Sequence, residues 1–277
     1  MRKLSLIILT GALLIGACKK EDKKDDGGNN GGTSTTCLLQ NFIDSTDREF
    51  RFNYNGNLKN GVDHYEKNLS TGNWELSDQY AFEYNSNNTL NKFITRSGSY
   101  KETVTLNYTA GKVTTAELYD SSSSGPNEYS FTIGYIYNAS NKISKWNIFE
   151  KSDPNTILFT ADFNYDGMGS IKEIILSEED GTGKIIPSEK YTFTNENFML
   201  ADPTLPALLL DFPFFYLAFN QNGMKQFNAI KSYFWDEDLN TWELDYNSDF
   251  QNSFDSKGKL TKMVFENEAY HFNWVCK

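Results

Sequence analysis

The chain has 277 residues, a formal net charge of −11, 15% aromatic residues and only 2 histidines and 3 cysteines. Nucleic-acid affinity rests on lysines and arginines that neutralise phosphates, so this acidic balance excludes a nucleic-acid partner. So few His and Cys residues leave no zinc cluster, and neither a G-x-S-x-G elbow nor a phosphate-cradling G-K-S/T loop occurs, so the sequence points to no cofactor, no metal and no catalytic residue.

At the start of the chain, Arg2 and Lys3 precede an apolar run from Leu4 to Ile15, which Gly16, Ala17 and Cys18 follow. A basic segment, a short apolar segment and small residues at the cut describe a secretory leader over 1–17. The run is shorter than the roughly 20 apolar residues of a transmembrane helix. Leu14-Ile15-Gly16-Ala17-Cys18 resembles the bacterial lipobox. That resemblance implies lipidation of Cys18, which then heads the mature chain and holds it on a membrane. Residues 18–36 are charged, then rich in Gly, Asn, Ser and Thr. With nothing apolar to bury, such a stretch is expected to act as a flexible leash. Lys19-Lys20-Glu21-Asp22 is also similar to the surface-export signal of Bacteroidota lipoproteins, which implies display on the cell outer membrane. Retention on the periplasmic side is the alternative.

The body is expected to be a single domain over 37–277, with Cys37 at its start and Cys276 next to its end. Exported chains meet an oxidising compartment, where a pair left over after lipidation of Cys18 is a candidate disulfide. A bridge would contribute about 5 kcal/mol on the chain-entropy view. Two separate thiols are equally compatible with the sequence.

Within the body one pattern returns: alternating aromatics, an Asn- or Gly-rich turn, a small apolar residue and a lysine. It reads Phe50-Arg51-Phe52-Asn53-Tyr54-Asn55-Gly56-Asn57-Leu58-Lys59, and again Phe82-Glu83-Tyr84-Asn85-Ser86-Asn87-Asn88-Thr89-Leu90. Tyr108, Tyr137 and Tyr165 anchor further copies, and Phe219 and Phe254 open two more. Period-2 alternation sets one face on a core and the other in water, and Asn, Asp and Gly supply the positive φ of tight hairpin turns. Asn73-Trp74-Glu75-Leu76 and Thr241-Trp242-Glu243-Leu244 form a second repeated element.

The Tyr-Asn/Asp-x-x-Gly/Asn-x-Leu core is similar to the YD repeats of RHS-type secreted proteins. Joined to the Trp-x-Leu hairpins and the lipobox, it resembles uncharacterised domain-of-unknown-function lipoproteins of the Bacteroidota, from about Phe50 onward. The encapsulating role of YD-repeat shells does not carry over to so short a body, and the lipoprotein family implies no activity.

The fold expected is all-β: an antiparallel meander of repeated hairpins, about twelve to sixteen strands at this spacing of turn signals, strongly curled or closed. Asp202-Pro203 and the Leu- and Phe-rich stretch that ends at Pro213 and Leu217 break the pattern. They predict a short helical or irregular insertion near 200–218.

Among candidate site residues, Trp74, Trp146, Trp235 and Trp242 are the aromatics that would stack on a sugar ring, against packing between strands. His271 lies in an alternating strand and reads as structural. The carboxylates of Glu178-Glu179-Asp180 and Asp236-Glu237-Asp238 fall at expected turns. The function expected is a non-enzymatic, membrane-anchored binding or structural protein with a glycan or protein partner. A glycan-binding module of a polysaccharide-uptake system and a hydrolase with paired carboxylates are the other two classes.

Overall fold

The computed structural model describes residues 37–44, 47–122, 128–199, 225–256, 259–265 and 268–276. The expected leader, the leash and the insertion near 200–218 lie outside these residues. The described residues form strands and turns only. The first nine strands are β1 (Cys37–Asp44), β2 (Arg48–Asn55), β3 (Leu58–Lys67), β4 (Trp74–Tyr84), β5 (Leu90–Ser97), β6 (Tyr100–Thr109), β7 (Lys112–Ser122), β8 (Glu128–Tyr137) and β9 (Ile143–Glu150). They continue as β10 (Ile157–Tyr165), β11 (Ile171–Glu179), β12 (Ile185–Met199), β13 (Lys225–Asp236), β14 (Thr241–Asp249), β15 (Gln251–Phe254), β16 (Leu260–Phe265) and β17 (Glu268–Cys276).

Each strand pairs antiparallel with its sequence neighbour from β1 to β14, and β15, β16 and β17 continue the series. β17 then lies against β1, with Cys37 opposite Cys276. The meander is therefore an all-β, nearly closed barrel-like sheet, as the repeat predicts. The 17 strands exceed the expected number because the run 241–254 divides at the buried Phe250. Its first part pairs with β13 and its second with β16.

Alternation decides the two faces. Phe50 stands opposite His64 and His64 opposite Asp78, while Phe52, Val62 and Tyr80 form the next row; all of these are buried. Phe82, Phe93, Val104 and Leu118 carry the apolar face onward. Between these rows, Arg51, Asp63, Gln79, Arg96 and Lys101 stand opposite one another in turn on the outer face. Asn53 and Gln79 both donate to the Asp63 carboxylate, and Lys145 meets Asp162 at 3.0 Å on the same face. A sheet that spans a bilayer turns an apolar band outward and polar residues inward. This one has apolar side chains inward and charges in mid-strand outward.

Candidate functional site

The barrel has two rims of different chemistry. The turns after β2, β4, β6, β8, β10 and β15 share one rim, which also carries both ends of the body. In each of these hairpins the register shifts at the end of the first strand, between Asn53 and Tyr54, Glu83 and Tyr84, Asn107 and Tyr108, Ile136 and Tyr137, Asn164 and Tyr165, and Ser253 and Phe254. In the five tyrosine hairpins the extra residue lies on the outgoing strand, as Asn60, Asn91, Thr114, Ser144 and Lys172, and increases the local twist of the pair beside the tyrosine. The Tyr84 hydroxyl donates to the Lys59 carbonyl at 2.6 Å, Tyr108 to Leu90 at 2.5 Å, Tyr137 to Val113 at 2.8 Å, and Tyr165 to Ile143. Tyr54 donates to Leu39, and the Trp274 indole takes the same role toward Leu260. The acceptor is thus the residue that follows the preceding turn, and Leu90, Val113, Ile143 and Leu260 are buried there.

Lysines complete the staple. Lys112 lies over the Tyr137 ring at 5.2 Å, Lys142 over Tyr165 at 5.1 Å and Lys259 over Trp274 at 5.1 Å. Lys142 also donates to the Gly169 carbonyl. Gly169 has φ +81°, and Asn88 and Asn141 hold the matching left-handed position of their own turns at 62° and 60°. Lys112, Lys142 and Lys259, each directly after its turn, thus bind one repeat to the next. Burial raises Tyr84 and Tyr165 above the ordinary phenol range, and burial together with Tyr137 pushes Tyr108 up to about 12. Cys37 and Cys276 form a disulfide at this same rim, across a sequence separation of 239.

The opposite rim carries two hairpins in the same register. In β3–β4, Tyr65 faces Leu76 and Lys67 faces Trp74, with a bulge before Tyr65. In β13–β14, Tyr233 faces Leu244 and Trp235 faces Trp242, with a bulge before Tyr233. The strand before each hairpin supplies a cation: Arg51 over Tyr65 at 4.1 Å, and Lys190 over Tyr233 at 4.4 Å and Trp242 at 4.7 Å. Lys67 covers Trp74 at 6.0 Å, and Trp235 meets Trp242 edge-on at 5.1 Å. Each hairpin also exposes two leucines. Leu69 and Leu239 in the turns are 85% and 65% exposed, and Leu76 and Leu244 on the second strands 49% and 56%.

Of the four tryptophans singled out as ligand-stacking residues, Trp74, Trp235 and Trp242 are therefore half-buried at this rim. Trp146 does not belong with them. It is 4% exposed and packs in the core with Ile143 and Ile148, because the bulge at Ser144 brings Ile143 and Trp146 onto one face. The acidic triplets sit at the ends of β11 and β13, as expected, and Asp236 caps its turn by accepting from the Leu239 amide. Burial first, then Glu189 and Glu237, holds the Glu178 carboxyl above its usual range. Among the described residues no group of three or more His, Cys, Asp and Glu side chains could hold a metal ion.

Sequence reasoning missed the His64–Asp78 pair. Both side chains are buried, with Nδ1 2.7 Å from the carboxylate and the imidazole stacked on Phe50 at 4.3 Å. Burial pushes Asp78 up, but hydrogen bonds from His64, Ser97 and Ser77 outweigh it and leave the carboxyl below its usual range. The inward parity of both residues was legible; that they stand opposite each other depends on the β3–β4 register.

No protein-family model matches the chain, and no curated protein matches it in sequence. Solved structures do. A porin-like protein from Bacteroides uniformis has 12% identity and a TM-score of 0.51, over 86% of this chain and 95% of that one. A porin-like protein from Bacteroides vulgatus has 14% identity and a TM-score of 0.45, over 77% and 96%. A Bacteroides fragilis protein of unknown function has 13% identity and a TM-score of 0.17, over 72% and 91%. The first of these likenesses shows a shared fold.

Proposed function

We propose that the chain is a lipid-tethered, non-enzymatic binding or structural protein of the bacterial envelope, on the outer membrane and displayed at the cell surface. In this reading residues 1–17 are removed, Cys18 is acylated, and 18–36 link it to the barrel. The observation that carries it is the polarity of the sheet. Charged and amide side chains occupy the outer face in register from Arg51 to Lys101, so the barrel suits water and needs an anchor outside itself. The Cys37–Cys276 bridge suits an exported protein. In this reading the tether joins the barrel at the tyrosine rim, where β1 starts, and the leucine-bearing hairpins lie at the rim far from the tether.

Growth of the producing cells with a tagged fatty acid tests the anchor. Label is expected on the wild-type chain and absent from Cys18→Ser, which should leave the membrane fraction. An unlabelled wild-type chain would overturn the proposal. Protease accessibility on intact cells separates surface display from the periplasmic side.

A further inference from the structure

The leucine-bearing hairpins have more structure than a solvated rim requires. They are far apart in sequence, yet they repeat the same tyrosine–leucine pair, a tryptophan two residues before that leucine, the same bulge, a cation from the preceding strand and two exposed leucines. The other described hairpin turns are built mainly from Asn, Asp, Ser and Gly, with Met168 the large apolar residue exposed among them. A leucine in a turn gains nothing for the fold when most of its surface remains in water.

We infer that these two hairpins, set apart along the sheet by β16, β17, β1 and β2, are two like docking sites for one partner polypeptide that brings apolar residues framed by lysines or arginines. This rests on the tethered orientation proposed above. The choice of a polypeptide over a glycan comes from the ring faces. Stacking on a sugar needs an open aromatic face, and here Arg51 covers Tyr65, Lys67 covers Trp74 and Lys190 covers both Tyr233 and Trp242. What each hairpin offers outward is its pair of leucines above an aromatic base braced by cations. Aromatic residues and arginine at the base of a contact, ringed by polar residues, are the composition of protein interfaces.

The charge of the partner follows from the frame. Glu66 and Glu75 stand opposite each other in one hairpin. Asp236, Glu237, Asp238, Glu243 and Asp245 crowd the other. Burial first, then Glu189 and Glu237, disfavours ionisation of Glu178 nearby, and the carboxylates around this hairpin outnumber the Lys190 cation that lies over its rings. A basic partner would offset that excess, and association should be faster at low salt. Two linked contacts give avidity only if both are engaged, so loss of one hairpin should cost far more than half the binding.

The test uses the full-length chain in the cells that make it. A photo-crosslinking amino acid is placed at Leu76, at Leu244 and, as a control at the tyrosine rim, at Ile136. The expected result is one and the same polypeptide joined from Leu76 and from Leu244 and absent from Ile136. That polypeptide, purified, should bind the wild-type chain in detergent micelles and lose about 100-fold in affinity for Leu244→Asn or Leu76→Asn, with unchanged melting of both variants. No crosslinked polypeptide at either hairpin, different polypeptides from the two, or unchanged affinity in both variants would overturn the inference. Retardation of the full-length chain in gels containing soluble neutral polysaccharide, lost in Trp242→Ala, would overturn it in favour of a glycan. The same crosslinks in Cys18→Ser keep the docking sites separate from the anchor: label on Cys18 without crosslinks sinks only the docking sites.

Discussion

The two rims use the same residue types to opposite ends. At the tyrosine rim an aromatic ring, a lysine and a turn engage the neighbouring repeat: Tyr165 donates to Ile143 while Lys142 lies over the Tyr165 ring and reaches Gly169. At the leucine rim Lys190 of β12 covers Tyr233 and Trp242 of the next hairpin, and Leu239 and Leu244 remain in water. The difference teaches that an aromatic–cation contact is structural where the ring also donates to the backbone of the neighbouring repeat and becomes a platform where exposed leucines flank it. Substitutions should therefore cost stability at the first rim and partner binding at the second.

The largest effect is expected at the clasp. Cys37→Ser with Cys276→Ser opens a loop of 239 residues and should lower unfolding free energy by about 5 kcal/mol, read from the urea midpoint. A change below about 1 kcal/mol would mean that the β1–β17 ladder closes the sheet alone. Next comes the buried pair. His64→Ala strips Asp78 of its main partner and should cost about 3–5 kcal/mol. The lowered carboxyl of Asp78 also sets an acid limit. Its contribution is complete above the ordinary carboxyl value of 3.8 and is lost as pH falls through the lower folded value. Acid unfolding of the wild type should therefore begin below that point, and that of Asp78→Asn should lack this component.

Smaller effects sharpen the comparison. Tyr84→Phe or Tyr165→Phe removes one inter-repeat hydrogen bond and should cost about 1 kcal/mol each, close to additive because the two sites share no partner. Tyr108 titrates at 10.0 when unfolded and about 12 when folded, so its contribution is present below the first value and lost as pH rises through the second. Tyrosinate absorbance and circular dichroism should accordingly change together in alkali. Ionisation near the ordinary phenol value without loss of structure would break the link between the ladder and stability. The smallest effect belongs to the leucine rim, where Leu76→Asn and Leu244→Asn should each shift stability by no more than about 0.5 kcal/mol. A larger loss would show that these hairpins serve the fold.

The sequence by itself determined the hairpin repeat, the turn positions and the sign of each face, because period-2 alternation and positive-φ turn residues are local properties that survive without a partner strand. Phe50, Phe52, Phe82 and Tyr84 are where their alternation puts them. It also offered Cys37 and Cys276 as partners, but only curling of the sheet places β17 against β1 and brings them together. The rest depended on register. A one-residue bulge on the strand that follows each rim tyrosine increases the local twist of the pair there, and nothing in a single strand announces it. Register likewise set His64 opposite Asp78 and turned Trp146 into the core. It gave Trp74 and Trp242 equivalent places on a rim that only the tertiary structure separates from the tether.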